Sequence, residues 1–145
     1  MSLEERLQRG ELRREPARPE EIRRLMDAAA RRIEDAASTS IHPETRLEQA
    51  YHAILSCALA ALRVESFRAA NAPGKHRFVL SSLADTLGTS PDLIAYFQQL
   101  RRMRHRGIYE GSIHVSETEV EGAVTEAARL LEHVLTWMQP RSSGP

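Results

Sequence analysis

Net charge is the first thing this sequence lacks. Its 145 residues carry 20 basic and 20 acidic side chains, so the formal charge at pH 7 is zero. No global field draws the chain to nucleic acid or to a membrane, and any anion site must be local. Cysteine is nearly absent. The single Cys57 excludes an internal disulfide and a cysteine-rich metal site. Its neighbours Leu55, Ala58 and Leu59 mark it as a packed, inert thiol. Lysine is nearly absent too. Lys75 stands alone among arginines, a bias that follows genome composition and also suits bidentate phosphate contacts. No apolar run approaches the ~20 residues that cross a bilayer, and no signal-peptide pattern is present. The expectation is a cytoplasmic protein without membrane contact. There is no glycine-rich phosphate loop, no nucleophile elbow, no internal repeat and no convincing strand. Glu48 and His52 stand four apart, but the paired Glu-x-x-His motifs of a bundle di-iron site do not occur. His42, His52 and His133 have no partner at ligand spacing. Neither a metal nor a cofactor is expected.

What is present is helical periodicity. Residues 1–18 are charged, with Leu3, Leu7 and Leu12 as the only large apolar side chains beyond Met1, and read as an N-terminal arm with a short helix. Pro19-Glu20-Glu21 opens a helix in which Ile22, Leu25, Met26, Ala29 and Ile33 repeat at helical spacing to about Ala37. Pro43 starts a longer helix to about Ala70, with Leu47, Ala50, Tyr51, Ile54, Cys57, Ala58, Ala61 and Val64 on one stripe. After the Asn71-Ala72-Pro73-Gly74 loop, a third helix is expected from His76 to Leu87. Ser90-Pro91-Asp92 caps a fourth, over Asp92 to Ile108, ended by Gly107 and Gly111. Ser116 and Glu119 have capping-box spacing before a fifth, Glu117 to Met138, ended by Pro140. The reading is an all-α, antiparallel up-and-down bundle of about five helices over 19–139, with a tail at 140–145.

One stretch breaks the pattern. Residues 101 to 106 hold Arg101, Arg102, Arg104, His105 and Arg106. The apolar stripe of the fourth helix runs through Leu93, Tyr96, Phe97, Leu100 and Met103, and four residues beyond Leu100 it reaches Arg104. Arg102 and Arg106 fall on the wet side; Arg101, His105 and Ile108 flank the stripe. A guanidinium aimed at a core costs several kcal/mol, on the order expected for a buried charge, unless it is paired or faces a cavity. Arg104 should therefore meet a carboxylate, a partner subunit or a ligand anion. A structural ion pair with Glu110 or Glu126, or a snorkelling side chain, is the simplest alternative.

From about Glu20 to Gln139 the chain resembles the HEPN superfamily of helical bundles, common in prokaryotic toxin–antitoxin and defence systems. The resemblance rests on Ala50-Tyr51-His52-Ala53 and Ser66-Phe67-Arg68 in the long helix, on Gly74-Lys75-His76, and most of all on Arg104-His105-Arg106-Gly107-Ile108-Tyr109. It implies a homodimer whose paired motifs form a metal-independent RNase site. On that pattern Arg104 takes the arginine role, His105 the polar role, and Tyr109 the position where nuclease members carry histidine. Tyrosine, with a pKa near ~10, is a poor general base at neutral pH but can hold a phosphate or stack on a base. Arg101, Arg102 and Arg106 would add RNA contacts. Two copies of His105 across a dimer axis could act as acid and base; a partly exposed histidine among like charges is the simpler alternative. The expected function is thus a dimeric RNA- or nucleotide-binding protein, capable of cleavage in its stronger form. The alternative is a non-catalytic interaction module that binds an antitoxin or nucleotidyltransferase partner through the same basic face.

Overall fold

The computed structural model describes residues 1–111 and 114–143, apart from the side chains of 108–110 and 140–143. The chain is an all-α bundle, as the periodicity predicts, with one small two-stranded sheet. Helix α1 (Leu3–Gln8) is closed by a reciprocal Ser2–Glu5 capping box and leads to strand β1 (Leu12–Arg14). Helix α2 (Pro19–Ala37) turns Met26, Ala29 and Ala36 inward. Helix α3 (Pro43–Val64) is the central rod, packed against α2 and against helices that follow it. Ala50, Ala53, Ala58, Ala60 and Ala61 are wholly buried in it, and these small side chains let neighbouring helices approach closely.

Helix α3 stops at Val64 rather than near Ala70. Ser66 takes φ +66°, a left-handed conformation that breaks the helix, and Phe67–Ala69 becomes strand β2. β2 pairs antiparallel with β1, with Leu12 opposite Ala69 and Arg14 opposite Phe67. Periodicity predicted no strand here, because three-residue strands leave too short a pattern to read. The N-terminal segment is also more than a charged arm. Leu12 is only 3 % exposed and belongs to the core, and Arg6 is buried against Glu11 and Asp85.

The expected third helix divides into α4 (Lys75–Ser81) and α5 (Leu83–Thr86) at the buried Ser82, whose hydroxyl donates to the Val79 carbonyl at 2.6 Å. Ser90 caps α6 (Pro91–Glu110), accepting from the Leu93 amide at 3.2 Å. Gly107 is helical, and Gly111, at φ +83°, supplies the left-handed cap. Ser116 and Glu119 form the expected capping box of α7 (Glu117–Ser143). That helix runs past position 140, where a proline removes one donor but stands too near the end to stop the last turn. Among the described residues no helix is long and apolar enough to cross a membrane.

Candidate functional site

The arginine run lies in the last two turns of α6 and presents two faces. Arg102, His105 and Arg106 are exposed and, with Gln99 and Arg101, line an outward cleft of about 400 Å³. Arg101 is half-buried and donates from Nε to Gln98 at 2.8 Å. Arg104 points the other way, toward α3. The apolar stripe beside it is spent inside the protomer: Phe97, Leu100 and Met103 are all buried. Phe97 and Leu100 are covered by the intramolecular core and leave no apolar face there for a second subunit. The side chains of Ile108, Tyr109 and Glu110 lie outside the described residues.

Arg104 meets a group of side chains from α3 and α4. Its guanidinium carbon stands 5.9 Å from the centroid of the Tyr51 ring, at the outer range of a cation–π contact. Its Nε lies 3.8 Å from Glu48 Oε1, too far for a hydrogen bond, and is buried without a hydrogen-bond partner. Glu48 is also 3.7 Å from His52 Nε2. The Tyr51 hydroxyl and His76 Nδ1 are 3.1 Å apart. Glu126, one of the two carboxylates expected for Arg104, instead accepts from Arg129 at 2.8 Å.

The electrostatics of this group are set by burial and by clustered positive charge. Burial, and then the charges of Arg104 and Arg32, hold His52 below its ordinary pKa against the pull of Glu48. Burial, then Arg104, Lys75 and Arg101, do the same to His76. Both imidazoles are neutral at pH 7. Burial pushes Tyr51 up to about 12, although Arg104 and Arg101 oppose it, so the hydroxyl keeps its proton. Cys57 is set aside from this chemistry, since burial pushes its thiol up to about 12.

Three other buried arginines show what a structural guanidinium looks like in this fold. Arg6 donates to Asp85 at 2.6 Å and to Glu11 at 3.0 Å. Arg46, 1 % exposed, donates to the Ala36 carbonyl at 2.8 Å, to Glu117 at 3.0 Å and to Glu121 at 2.6 Å. Arg63 is closed by the carbonyls of Glu15, Pro16 and Phe67 and by both oxygens of Glu21. Arg104, whose side chain is 24 % exposed, has among the described residues only a distant carboxylate that is itself 43 % exposed.

No family model, curated protein or solved structure matches this chain. The chemistry of the site therefore rests on its own geometry. Arg104 acts on both neutral imidazoles, with Arg32 adding to it at His52 and Lys75 and Arg101 at His76; Glu48 is the carboxylate at hand, and that balance suits an anion. No three metal-ligating side chains come together among the described residues. A roomier groove of about 720 Å³ between α6 and α7 holds Leu93, Tyr96 and Gly122 beneath Glu117, Glu121 and Glu126. Arg46 and Arg129 already engage those carboxylates. Sequence reasoning placed Arg104 at the site but gave Tyr51, His52, His76 and Glu48 no part in it. The motifs holding them were visible. Their meeting was not, because α3 and α4 approach α6 only through the tertiary fold.

Proposed function

We propose that the protein is a HEPN-like RNA-binding dimer whose phosphate site is built around Arg104. The observation that carries this reading is the contrast among the arginines. Arg46 and Arg63 have all three guanidinium nitrogens hydrogen-bonded to carboxylates or carbonyls and Arg6 has two, while Arg104 keeps a buried Nε without a hydrogen bond. A phosphodiester would offer the exposed part of the Arg104 guanidinium one negative charge and two oxygens, balancing a cation that the fold leaves poorly paired. Arg101 and Lys75 add positive potential, and Tyr51 supports the guanidinium from below. The cleft of Arg102, His105 and Arg106 lies on the other face of α6 and would offer a second, separate basic surface to the polymer. The resemblance supports RNA as the polymer, the pairing of two protomers, and a toxin–antitoxin or defence setting. Binding is the core of the reading. Metal-independent cleavage is its stronger form: the 2′-hydroxyl attacks phosphorus and gives its proton to water, the P–O5′ bond breaks, O5′ takes a proton from water and leaves as a 5′-hydroxyl, and a 2′,3′-cyclic phosphate remains, while Arg104 balances the developing charge.

The test is fluorescence anisotropy with labelled single-stranded RNA in EDTA, with products followed on gels. Arg104→Ala should weaken binding at least tenfold and reduce the slope of log K against log salt by about 0.7, the share of one phosphate contact. Arg102→Ala and Arg106→Ala should cost less. Equal affinity of Arg104→Ala and the parent protein would overturn the phosphate site. If no form binds RNA and an acidic protein is instead retained through Arg102 and Arg106, the interaction-module reading replaces it.

A further inference from the structure

The Tyr51–His76 contact has a direction. Tyr51 is wholly buried, and its hydroxyl keeps its proton at any physiological pH. A buried O–H needs an acceptor, and the acceptor at hand is His76 Nδ1, 3.1 Å away. If the hydroxyl donates, Nδ1 must offer its lone pair. In a neutral imidazole the ring proton then sits on Nε2. Nε2 lies on the far edge of the ring from Nδ1, so it is directed away from Tyr51. His76 is half-buried, and the charges of Arg104, Lys75 and Arg101 all act on its ring. Those cations disfavour a second proton on the imidazole and favour an anion beside it.

We propose that His76 is a neutral hydrogen-bond donor to phosphate at the Arg104 site, and that Tyr51 is the positioning residue that fixes its Nε2–H tautomer. The assignment rests on the phosphate-site reading above and adds a residue and a tautomer to it. The ligand is a phosphate monoester or diester, as in RNA or a nucleotide. Arg104 supplies the charge. His76 supplies a directed donor that needs no charge of its own, so the site gains a contact without further crowding of like charges. The arrangement also gives the fully buried tyrosine hydroxyl in the middle of α3 a defined task.

The experiment is long-range ¹H–¹⁵N NMR of the full chain with ¹⁵N-labelled histidine, titrated with a 5′-phosphorylated tetraribonucleotide. In the free protein His76 should show the Nε2–H tautomer. The probe should shift His76 Nε2 more than the ring nitrogens of His42 or His133. Tyr51→Phe should populate the Nδ1–H tautomer and weaken the probe about tenfold. His76→Ala should weaken it by a similar factor, while His76→Gln, whose amide can donate from nearly the same place, should keep most of the affinity. An Nδ1–H tautomer in the free protein would overturn the assignment. So would an unmoved His76 Nε2 while Arg104→Ala still abolishes binding, an outcome that leaves the phosphate site standing. A parent protein that binds no probe would overturn both. If His76→Ala fails to fold, the His76→Gln affinity and the spectrum of the parent protein decide.

Discussion

Arg46 and Arg104 show how differently one fold can satisfy the same side chain. Arg46 joins the end of α2 to the start of α7, and its charge is balanced by Glu117 and Glu121. Removing both carboxylates strands a buried guanidinium. Glu117→Ala with Glu121→Ala should cost about 3 kcal/mol, whereas Arg46→Met removes the charge itself and should cost roughly 1 kcal/mol. Urea unfolding of both variants checks the order, and a more damaging Arg46→Met would contradict the ion-pair account. Arg104 should behave in reverse. Arg104→Leu takes away a poorly paired, half-buried charge and should raise stability by about 1 kcal/mol while RNA affinity falls. Such a gain in stability with a loss of binding separates a site residue from a structural one. At this scale the sequence was informative: the wheel placed Arg104 on the apolar stripe, and only the identity of its neighbours was hidden.

At the scale of elements, the short β1–β2 sheet decides where α3 ends. Ser66 accepts a left-handed backbone so that Phe67 and Ala69 can turn inward beside Leu12. A non-glycine residue there costs about 1 kcal/mol. Ser66→Gly should therefore raise the urea midpoint by an amount worth roughly 0.5 kcal/mol after the added freedom of the unfolded chain is counted, and Ser66→Val should lower it. Leu12→Ala should cost about 2 to 4 kcal/mol, the range for a large-to-small change in a packed core. A Leu12→Ala variant as stable as the parent would show that the N-terminal segment is indeed a loose arm. Helix starts were legible, since Pro19, Pro43 and the Ser90-Pro91 cap act locally. The end of α3 was not, because the partner strand that rewards leaving the helix lies far upstream.

For the whole molecule, the histidines at the site link folding to pH. His52 and His76 both have folded pKa values below the ordinary 6.5. Between those values and 6.5 the unfolded chain binds protons that the folded chain refuses, so unfolding is favoured as pH falls. Stability should be full above about pH 7 and should decline as pH drops through 6.5. The groups that act on the two rings are Glu48 and Tyr51 of α3, Arg32 of α2, Lys75 of α4, and Arg101 and Arg104 of α6, and His76 also acts on His52. Of these, Glu48 alone opposes the trend. Below about 4.5 a second decline should follow. Burial raises the pKa of Glu21, but hydrogen bonds from Arg63 and Arg68 outweigh it and hold the carboxyl low, so its contribution is lost on protonation. Melting temperatures from pH 8 to 4 should show the first decline in the parent and not in a His52→Gln, His76→Gln double variant. Pairing of protomers belongs to this scale as well. A single monomeric species at micromolar concentration in sedimentation would contradict the dimer.

The sequence by itself determined the all-helical class, the helix starts and the outlying position of Arg104, because periodicity, caps and prolines act within a few residues. The tertiary structure decided the rest. It chose which carboxylates close Arg6, Arg46 and Arg63 and left Arg104 with none at hydrogen-bonding distance among the described residues. It also joined the tyrosine and histidine of two separate helices by one hydrogen bond. Those outcomes depend on contacts between residues distant in the chain, where packing selects one partner among many of similar chemistry.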